Sequence, residues 1–370
     1  MKNKLFLGDN LEILKSLPTD SVDLAYADPP YNSKRVYYTD NNQKAFDDFW
    51  RSPATSESSD LLFSSEKGVA VSRYLTNIDS LTSNITTKSK NYWEHLRSYL
   101  AMLAPRLVEV ERLVKPEGST YIHCDYRVAH YVKCVMDIIW GFEKFRNDIV
   151  WCYAPHGRQP SVGFVHKHDN ILLYADPKDA IFNRSYTEIS RQTEITFTQE
   201  DERGEKYRER GGKRQYLEDY PGKPIPSWWA DIAAFHSAAN SEERTGYPTQ
   251  KPEELIDRII NASSNPGSVI LDPFCGSGTT LEVSVKGERN WIGIDVNPLA
   301  INTIEVRLGK YFLIPEDNYE VNYTREQLKS ALKAKLEEDE EENEKDKKKK
   351  QKLKDRFKKD KKPEAQSSLF

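Results

Sequence analysis

Short apolar runs alternate with amphipathic helical segments at both ends of this 370-residue chain, and a charged stretch separates the two alternating regions. Leu5-Phe6-Leu7 precedes an amphipathic segment from Leu11 to Leu17, and Val22-Asp23-Leu24-Ala25-Tyr26-Ala27 is the next apolar run. Helical periodicity follows over Tyr92–Val114 and Val128–Trp140. Strand-like runs occur at Ser119–His123, Asp148–Tyr153 and Ile171–Tyr174. After the interruption the alternation resumes: helix at Glu253–Ala262, strand at Ser268–Leu271, helix at Thr279–Val285, strand at Trp291–Ile294, helix at Pro298–Leu308. Strands joined by helices on both sides of an insertion predict an α/β protein with a doubly wound, mostly parallel sheet.

Composition divides the chain into residues 1–182, 183–246, 247–312, 313–335 and 336–370. The second segment is charged and poor in apolar residues. The last carries 12 Lys+Arg against 11 Asp+Glu, leaving 42 against 47 for the rest, and has no apolar face for a core. With a net charge of −4, any nucleic-acid contact has to come from local basic patches. No apolar run approaches the roughly 20 residues that span a bilayer, and the start lacks a signal-peptide pattern, so a cytoplasmic protein away from membranes is expected. Cys124, Cys134, Cys152 and Cys275 have no paired spacing, and His166 and His168 have no evident third ligand; no disulfide or metal site is expected.

Asp272 closes the Ser268–Leu271 run and leads into Pro273-Phe274-Cys275-Gly276-Ser277-Gly278-Thr279-Thr280. Gly276 and Gly278 permit positive φ and a close approach of backbone N–H groups to a ligand before the helix. The pair alone is also consistent with a tight packing turn. No Gly-Lys-Ser/Thr follows, which argues against a P-loop, and no third glycine completes a dinucleotide fingerprint. Asp295 ends the next strand, where a carboxylate typically accepts both hydroxyls of a ribose; the alternative reading is a cap for the Pro298 helix.

Near the other end, Val22–Ala27 runs into Asp28-Pro29-Pro30-Tyr31. The exocyclic nitrogen of adenine or cytosine is a poor nucleophile because its lone pair is delocalised into the ring. Asp28 can accept one of its N–H groups and the Pro29 carbonyl the other. Pro29 and Pro30 restrict the backbone that carries these acceptors, and the Tyr31 ring offers a stacking surface. Catalysis of this kind rests on positioning, with Asp28 as proton acceptor. A rigid strand-to-loop turn is the alternative reading of the four residues.

Together these motifs resemble β-class S-adenosylmethionine-dependent DNA amino-methyltransferases (the N6-adenine and N4-cytosine enzymes), in which the catalytic motif precedes the cofactor motif. The match runs from about Lys4 to Leu308. It implies a Rossmann-like methyltransferase fold with circularly permuted motif order: a catalytic part in 1–182, a target-recognition insertion in 183–246, a cofactor-binding part in 247–312, then a C-terminal extension and a charged tail. The implied cofactor is S-adenosylmethionine. Asp272, Phe274, Gly276, Gly278 and Asp295 match its motifs, and Tyr247-Pro248-Thr249-Gln250-Lys251-Pro252 is similar to motif X, with Lys251 and Thr249 suited to the methionine carboxylate. Gly8-Asp9 is similar to the segment whose acidic residue touches the cofactor adenine; Asp9 is also placed to cap the Leu11 helix. Asp125 fits a supporting carboxylate, and Trp151 and Tyr153 fit either core rings or neighbours of the target base.

The implied substrate is double-stranded DNA with the target base flipped out. The backbone clamps expected for it are Lys34-Arg35 and His156-Gly157-Arg158. Arg208, Arg210, Lys213 and Arg214 around Gly211-Gly212 are the expected base or phosphate contacts, and Trp228–Ile232 is expected to dock on the core. Asp28 favours adenine N6 over cytosine N4. RNA and protein-amide substrates are further alternatives, the latter opposed by Asp28 where those enzymes resemble Asn-Pro-Pro-Tyr. A non-catalytic binding module is opposed by the intact motifs. The resemblance leaves open a homodimer and a cognate restriction endonuclease as partners.

Overall fold

The computed structural model describes residues 3–33, 35–48, 65–82, 87–153, 160–235, 241–312, 318–339 and 341. The first third contains β1 (Asn3–Leu7), α1 (Asn10–Ser16), β2 (Val22–Ala27), the hairpin β3 (Arg35–Tyr38) and β4 (Lys44–Asp48), then α2 (Glu66–Thr82) and α3 (Thr87–Leu113). The middle contains β5 (Val114–Asp125), α4 (Ala129–Trp140), β6 (Phe145–Cys152), β7 (His168–Ala175), β8 (Gln199–Glu200), β9 (Lys206–Arg210), β10 (Lys213–Tyr216) and β11 (Trp228–Trp229). The last part contains α5 (Glu253–Ser263), β12 (Val269–Asp272), α6 (Thr279–Lys286), β13 (Asn290–Asp295), α7 (Pro298–Leu308), β14 (Tyr319–Val321) and α8 (residues 325–339).

Among the described residues the main sheet has nine strands in the order β11-β6-β7-β5-β2-β12-β13-β1-β14. Every neighbouring pair is parallel except those made by β7, which runs antiparallel to both β5 and β6. This is the doubly wound, mostly parallel sheet expected from the alternation. Central strands buried on both faces need no polar alternation, and all six residues of β2 are buried.

Successive side chains of a strand point to opposite faces. Ala25 and Ala27 of β2 therefore join the core beneath α1, α2, α3 and α4, while Leu24 and Tyr26 join the core beneath α5. A third core, built on Leu5, Leu281, Trp291, Ile301 and Ile304, packs α6 and α7 against the other end of the sheet.

Within 183–246, β8, β9 and β10 form a separate three-stranded antiparallel sheet. The double tryptophan does dock on the core: β11 pairs with β6, Trp229 is buried, and Trp228 remains exposed. α8 runs across position 335/336, where composition divides the chain, and Asp339 near its end is buried. Residues 342–370 of the charged tail lie outside the described residues. No described helix is long and apolar enough to cross a membrane.

Candidate active site

The four strands β2, β12, β13 and β1 are neighbours and mutually parallel, so their carboxyl ends share one edge of the sheet. Each carries an aspartate there or just beyond: Asp28 after β2, Asp272 and Asp295 at the ends of β12 and β13, and Asp9 after β1. Ligands of open α/β sheets bind in the crevice outside these ends, where the strand order reverses. A cavity of about 480 Å³ lies there, lined by all four aspartates together with Pro29, Pro30, Tyr31, Thr249, Lys251, Phe274 and Gly276. Its size falls in the range of small-molecule sites, roughly 300–1,000 Å³. Residues 240 or more positions apart in sequence thus face one space.

At the Asp28–Tyr31 turn the Asp28 carboxylate is held from two sides. Tyr31 donates its hydroxyl to Oδ1, and the Lys251 ammonium pairs with Oδ2. Lys251, matched by sequence to the methionine carboxylate, therefore directs its charge at Asp28. The Lys251 Nζ also lies 5.2 Å from the centroid of the Tyr31 ring, and the His123 ring stacks on that ring at 5.9 Å. Burial and the Asp28 charge push the Tyr31 phenol well above its ordinary value, so it acts as a donor.

Fully buried His123 extends the arrangement inward. Its Nδ1 is hydrogen-bonded to the Tyr26 hydroxyl at 2.9 Å and its Nε2 lies 3.2 Å from Asp169 Oδ2. Tyr153 donates to the other Asp169 oxygen at 3.1 Å. Burial opposes charge on Asp169, but His123, Lys251 and Tyr153 outweigh it and hold the carboxyl below its ordinary value. Asp125, expected as the supporting carboxylate, instead binds Arg127. Trp151 is a core residue whose indole N–H donates to the Ile232 carbonyl, while Tyr153 joins the His123 cluster.

In the glycine turn the two glycines have different reasons. Gly278 has φ +79°, and a Cβ there would meet Ile304 of α7 at 2.7 Å, so packing alone excludes a side chain. Gly276 has φ +47° with only ordinary contact at its Cβ position, and its N–H donates to Asp295 Oδ2 at 2.9 Å. The other Asp295 oxygen accepts the Asn297 N–H at 2.8 Å. Each carboxylate oxygen has a second lone pair to offer a hydroxyl. Burial raises Asp295 to about 6 and Asp272 to about 7, the latter helped by the charges of Asp28 and Asp295. A cavity walled by carboxyls so destabilised favours a cationic ligand that also carries hydroxyls, which fits S-adenosylmethionine. Thr249 lines the same space with φ +60°, a costly conformation for a β-branched residue.

Asp9 is both of the things its sequence position allows. It caps α1 by accepting the Leu11 N–H at 2.8 Å, and it lines the cavity. Arg106 of α3 binds both its oxygens at 2.9 and 3.0 Å and also contacts Asn10, whose amide donates to the Pro273 carbonyl at 2.7 Å. Arg106 and Asp169 escaped sequence reasoning. So did buried Asp48, which accepts the Asn32 and Ser33 N–H groups and braces the loop after Tyr31. Only a partner distant in sequence makes these residues informative. Gln250 staples its own turn, accepting from Thr245 at 2.9 Å and donating to the Glu243 carbonyl at 2.6 Å.

The expected DNA contacts fare unequally. Lys34 and His156-Gly157-Arg158 lie outside the described residues, and Arg35 is exposed on β3. Arg208 packs over Phe197 and Tyr220 at 4.4 and 4.8 Å and donates to Gln215 and Thr196, and Arg214 covers Tyr207 at 4.6 Å. Arg210 and Lys213 instead face one another, exposed, across the turn at Gly211-Gly212.

A family model described as DNA methylase matches residues 22–306. Type II methyltransferase M.EcaI of Enterobacter cloacae is 25% identical over 262 residues, 57% of this chain and 58% of that protein, so the match spans little more than half of the relative. DNA adenine methyltransferase YhdJ of Escherichia coli K12 is 27% identical over 299 residues, 78% of this chain and 77% of that one. Among solved structures, the PvuII DNA methyltransferase described as cytosine-N4-specific has a TM-score of 0.50 at 15% identity, over 91% of this chain and 93% of that one, a likeness of fold. With the Asp28–Tyr31 turn and the glycine turn on one cavity and the family match running through both, the chain belongs to the DNA methylase family, the S-adenosylmethionine-dependent N6-adenine and N4-cytosine amino-methyltransferases.

Proposed function

We propose that the chain methylates the N6 amino group of adenine at a specific site in double-stranded DNA, with the target base flipped out of the helix. The observation that carries this is the shared cavity: Asp28 and the Gly276–Asp295 pair line one space, so an acceptor for an amino group faces a site suited to a sulfonium donor. Asp28 in the catalytic turn and the adenine-specific name of YhdJ both favour adenine over cytosine.

Asp9, Thr249, Asp272, Phe274, Gly276 and Asp295 would hold the donor, with Gly278 shaping the turn and Lys251 close by. Bound S-adenosylmethionine supplies an electrophilic methyl group on a positively charged sulfur. The residues of this chain prepare the nucleophile. Asp28 and the Pro29 carbonyl accept the two amino N–H groups, drawing the nitrogen out of conjugation and fixing its lone pair. Tyr31 and Lys251 already hold Asp28 at both oxygens, so the carboxylate is oriented before the base arrives and the incoming N–H shares an oxygen with one of them. As the nitrogen–methyl bond forms, the methyl–sulfur bond breaks with its electron pair left on the sulfur as a neutral thioether, and one amino proton leaves to Asp28 and from there to solvent.

Residues 183–246, apart from strand β11, are assigned to target recognition. The name of M.EcaI supports a modification enzyme of a restriction pair, with a cytoplasmic location in keeping with its substrate. Digestion to nucleosides of DNA from cells expressing the protein should yield N6-methyladenine. Asp28→Ala should lose more than about a thousandfold of the activity and still bind S-adenosylmethionine, because the positioning and the proton acceptor go together. Finding only 4-methylcytosine would overturn the adenine assignment, and undiminished activity in Asp28→Ala would overturn the catalytic one.

A further inference from the structure

α8 lies beyond the residues matched by the family model, yet it reaches the cavity. Its start is built locally: Thr324 and Gln327 form a reciprocal capping box, with Gln327 Oε1 accepting the Thr324 N–H at 2.7 Å and Thr324 Oγ1 accepting the Gln327 N–H at 3.1 Å. Leu328, Leu332, Lys335 and Asp339 follow at spacings of four, three and four, which places them on one helical face. Leu328 is buried in the core of α6 and α7. Leu332 reaches both that core and the cluster of Ala45, Tyr247, Leu299 and Ala300.

The polar end of this face meets the β3–β4 hairpin, whose Tyr37, Ala45, Phe46 and Asp48 line the cavity. Asp339 Oδ2 accepts the Lys44 backbone N–H at 3.0 Å across 295 residues of sequence. Two other clips hold the same hairpin: the Asp40 N–H donates to the Gly246 carbonyl at 2.9 Å, and the Asn297 amide donates to the Ala45 carbonyl at 2.5 Å. The hairpin is thus fastened to the motif X segment, to the β13–α7 turn beside Asp295, and to α8.

Lys335 itself lines the cavity. Of the three cations that line it among the described residues, Arg106 is bound by Asp9 at 2.9 Å and Lys251 by Asp28. Lys335 Nζ donates to Glu338 Oε2 at 3.4 Å and stands 3.4 Å from Asp339 Oδ1; an ammonium carries three donors, so the group retains donors for a ligand. Asp339 Oδ1 correspondingly has no hydrogen-bond partner although it is buried.

We propose that α8 is a wall of the methyl-donor site: Lys335 supplies a hydrogen-bond donor to the oxygen atoms of the bound donor, and Asp339, as a positioning residue, holds the β3–β4 hairpin over it. This rests on the assignment of the cavity to S-adenosylmethionine. The test is the affinity and dissociation rate of S-adenosylmethionine and S-adenosylhomocysteine, measured by calorimetry and stopped-flow fluorescence on the full chain without DNA. Asp339→Leu and Lys335→Met should each weaken binding of both by about fivefold to tenfold, the equivalent of removing one hydrogen bond. Asp339→Asn, which keeps an acceptor for the Lys44 N–H, should bind nearly as the unaltered chain does, as should Glu337→Ala on the outer face. A purely structural role for Asp339 would lower the melting temperature and leave affinity unchanged. Unchanged affinity in Lys335→Met and in folded Asp339→Leu overturns the proposal; if Asp339→Leu does not fold, Lys335→Met decides alone. A chain that binds the donor but makes no N6-methyladenine overturns the functional assignment and leaves α8 standing, whereas one that binds no donor takes both down.

Discussion

Asp272 and Asp295 carry carboxyls raised to about 7 and about 6 by burial, against an ordinary value of about 3.9 for aspartate. A carboxyl raised on folding contributes stability below its unfolded value and loses it as pH rises through the folded one. For Asp272 that window runs from about pH 4 to pH 7. Asp272→Asn should therefore raise the melting temperature of the ligand-free protein at pH 8, by up to a few kcal/mol of stability, with the gain vanishing below pH 4. A gain of equal size at both pH values would reject the assignment. The same carboxyls set ligand preference. The donor sulfonium is charged and the thioether product is not, so donor affinity should rise by about tenfold between pH 5 and pH 8 while product affinity stays nearly flat. Calorimetry across that range decides it, and parallel curves for the two ligands would sink the idea. Beneath the glycine turn, buried Arg307 pairs with buried Glu282 and donates to Thr279 at 3.0 Å. Glu282 keeps Lys310 and the Tyr311 hydroxyl as partners, so Arg307→Leu should cost about 1.5–3 kcal/mol in chemical denaturation.

The β9–β10 hairpin separates two kinds of arginine that are alike in sequence. Arg208 and Arg214 cover aromatic rings and hold the small sheet together, whereas Arg210 and Lys213 present charge on either side of Gly211-Gly212, whose φ values of +61° and +73° suit a tight two-residue turn. Replacing Arg210 and Lys213 by alanine should weaken binding to any duplex several-fold and reduce the salt slope by about one for each phosphate that is no longer neutralised. Arg208→Ala should chiefly destabilise the small sheet. Fluorescence anisotropy over a salt series separates the two, and an unchanged slope in the double variant would remove the hairpin from the interface. Elements of this kind mark the limit of what sequence reveals. Strands such as Val22–Ala27 and Val269–Asp272 were legible because their apolar runs are contiguous, and so were the turns that follow them. Pairings across the chain were not. Nothing local in Lys251 says that it meets Asp28, 223 positions away, and nothing in a lysine-rich, acidic C-terminal segment says that Asp339 is buried against Lys44. The helical face of Leu328, Leu332, Lys335 and Asp339 crosses the composition boundary at 335/336, and nothing local signals where it docks.

At the scale of the molecule, the cavity takes its walls from residues 8–106 and 247–335, so segments far apart in sequence touch the same space. The interactions that close it are long-range: Asp28 with Lys251, Asn10 with Pro273, Asp40 with Gly246, Lys44 with Asp339. The parts that carry Asp28 and Asp272 are therefore neighbours within one sheet, with β2 hydrogen-bonded to β12, and should unfold together. A ligand that binds only the closed arrangement stabilises all of it by mass action. At a hundredfold excess over its dissociation constant, S-adenosylmethionine should add about 2.7 kcal/mol. For a chain of this size that corresponds to a rise of about 4 °C in Tm. The rise should appear alike in far-ultraviolet dichroism, which reports the whole sheet, and in the fluorescence of buried Trp291 of β13. A ligand-induced shift confined to one signal, leaving a second transition in place, would mean that the two parts fold as separate units and that the cavity is assembled only on binding.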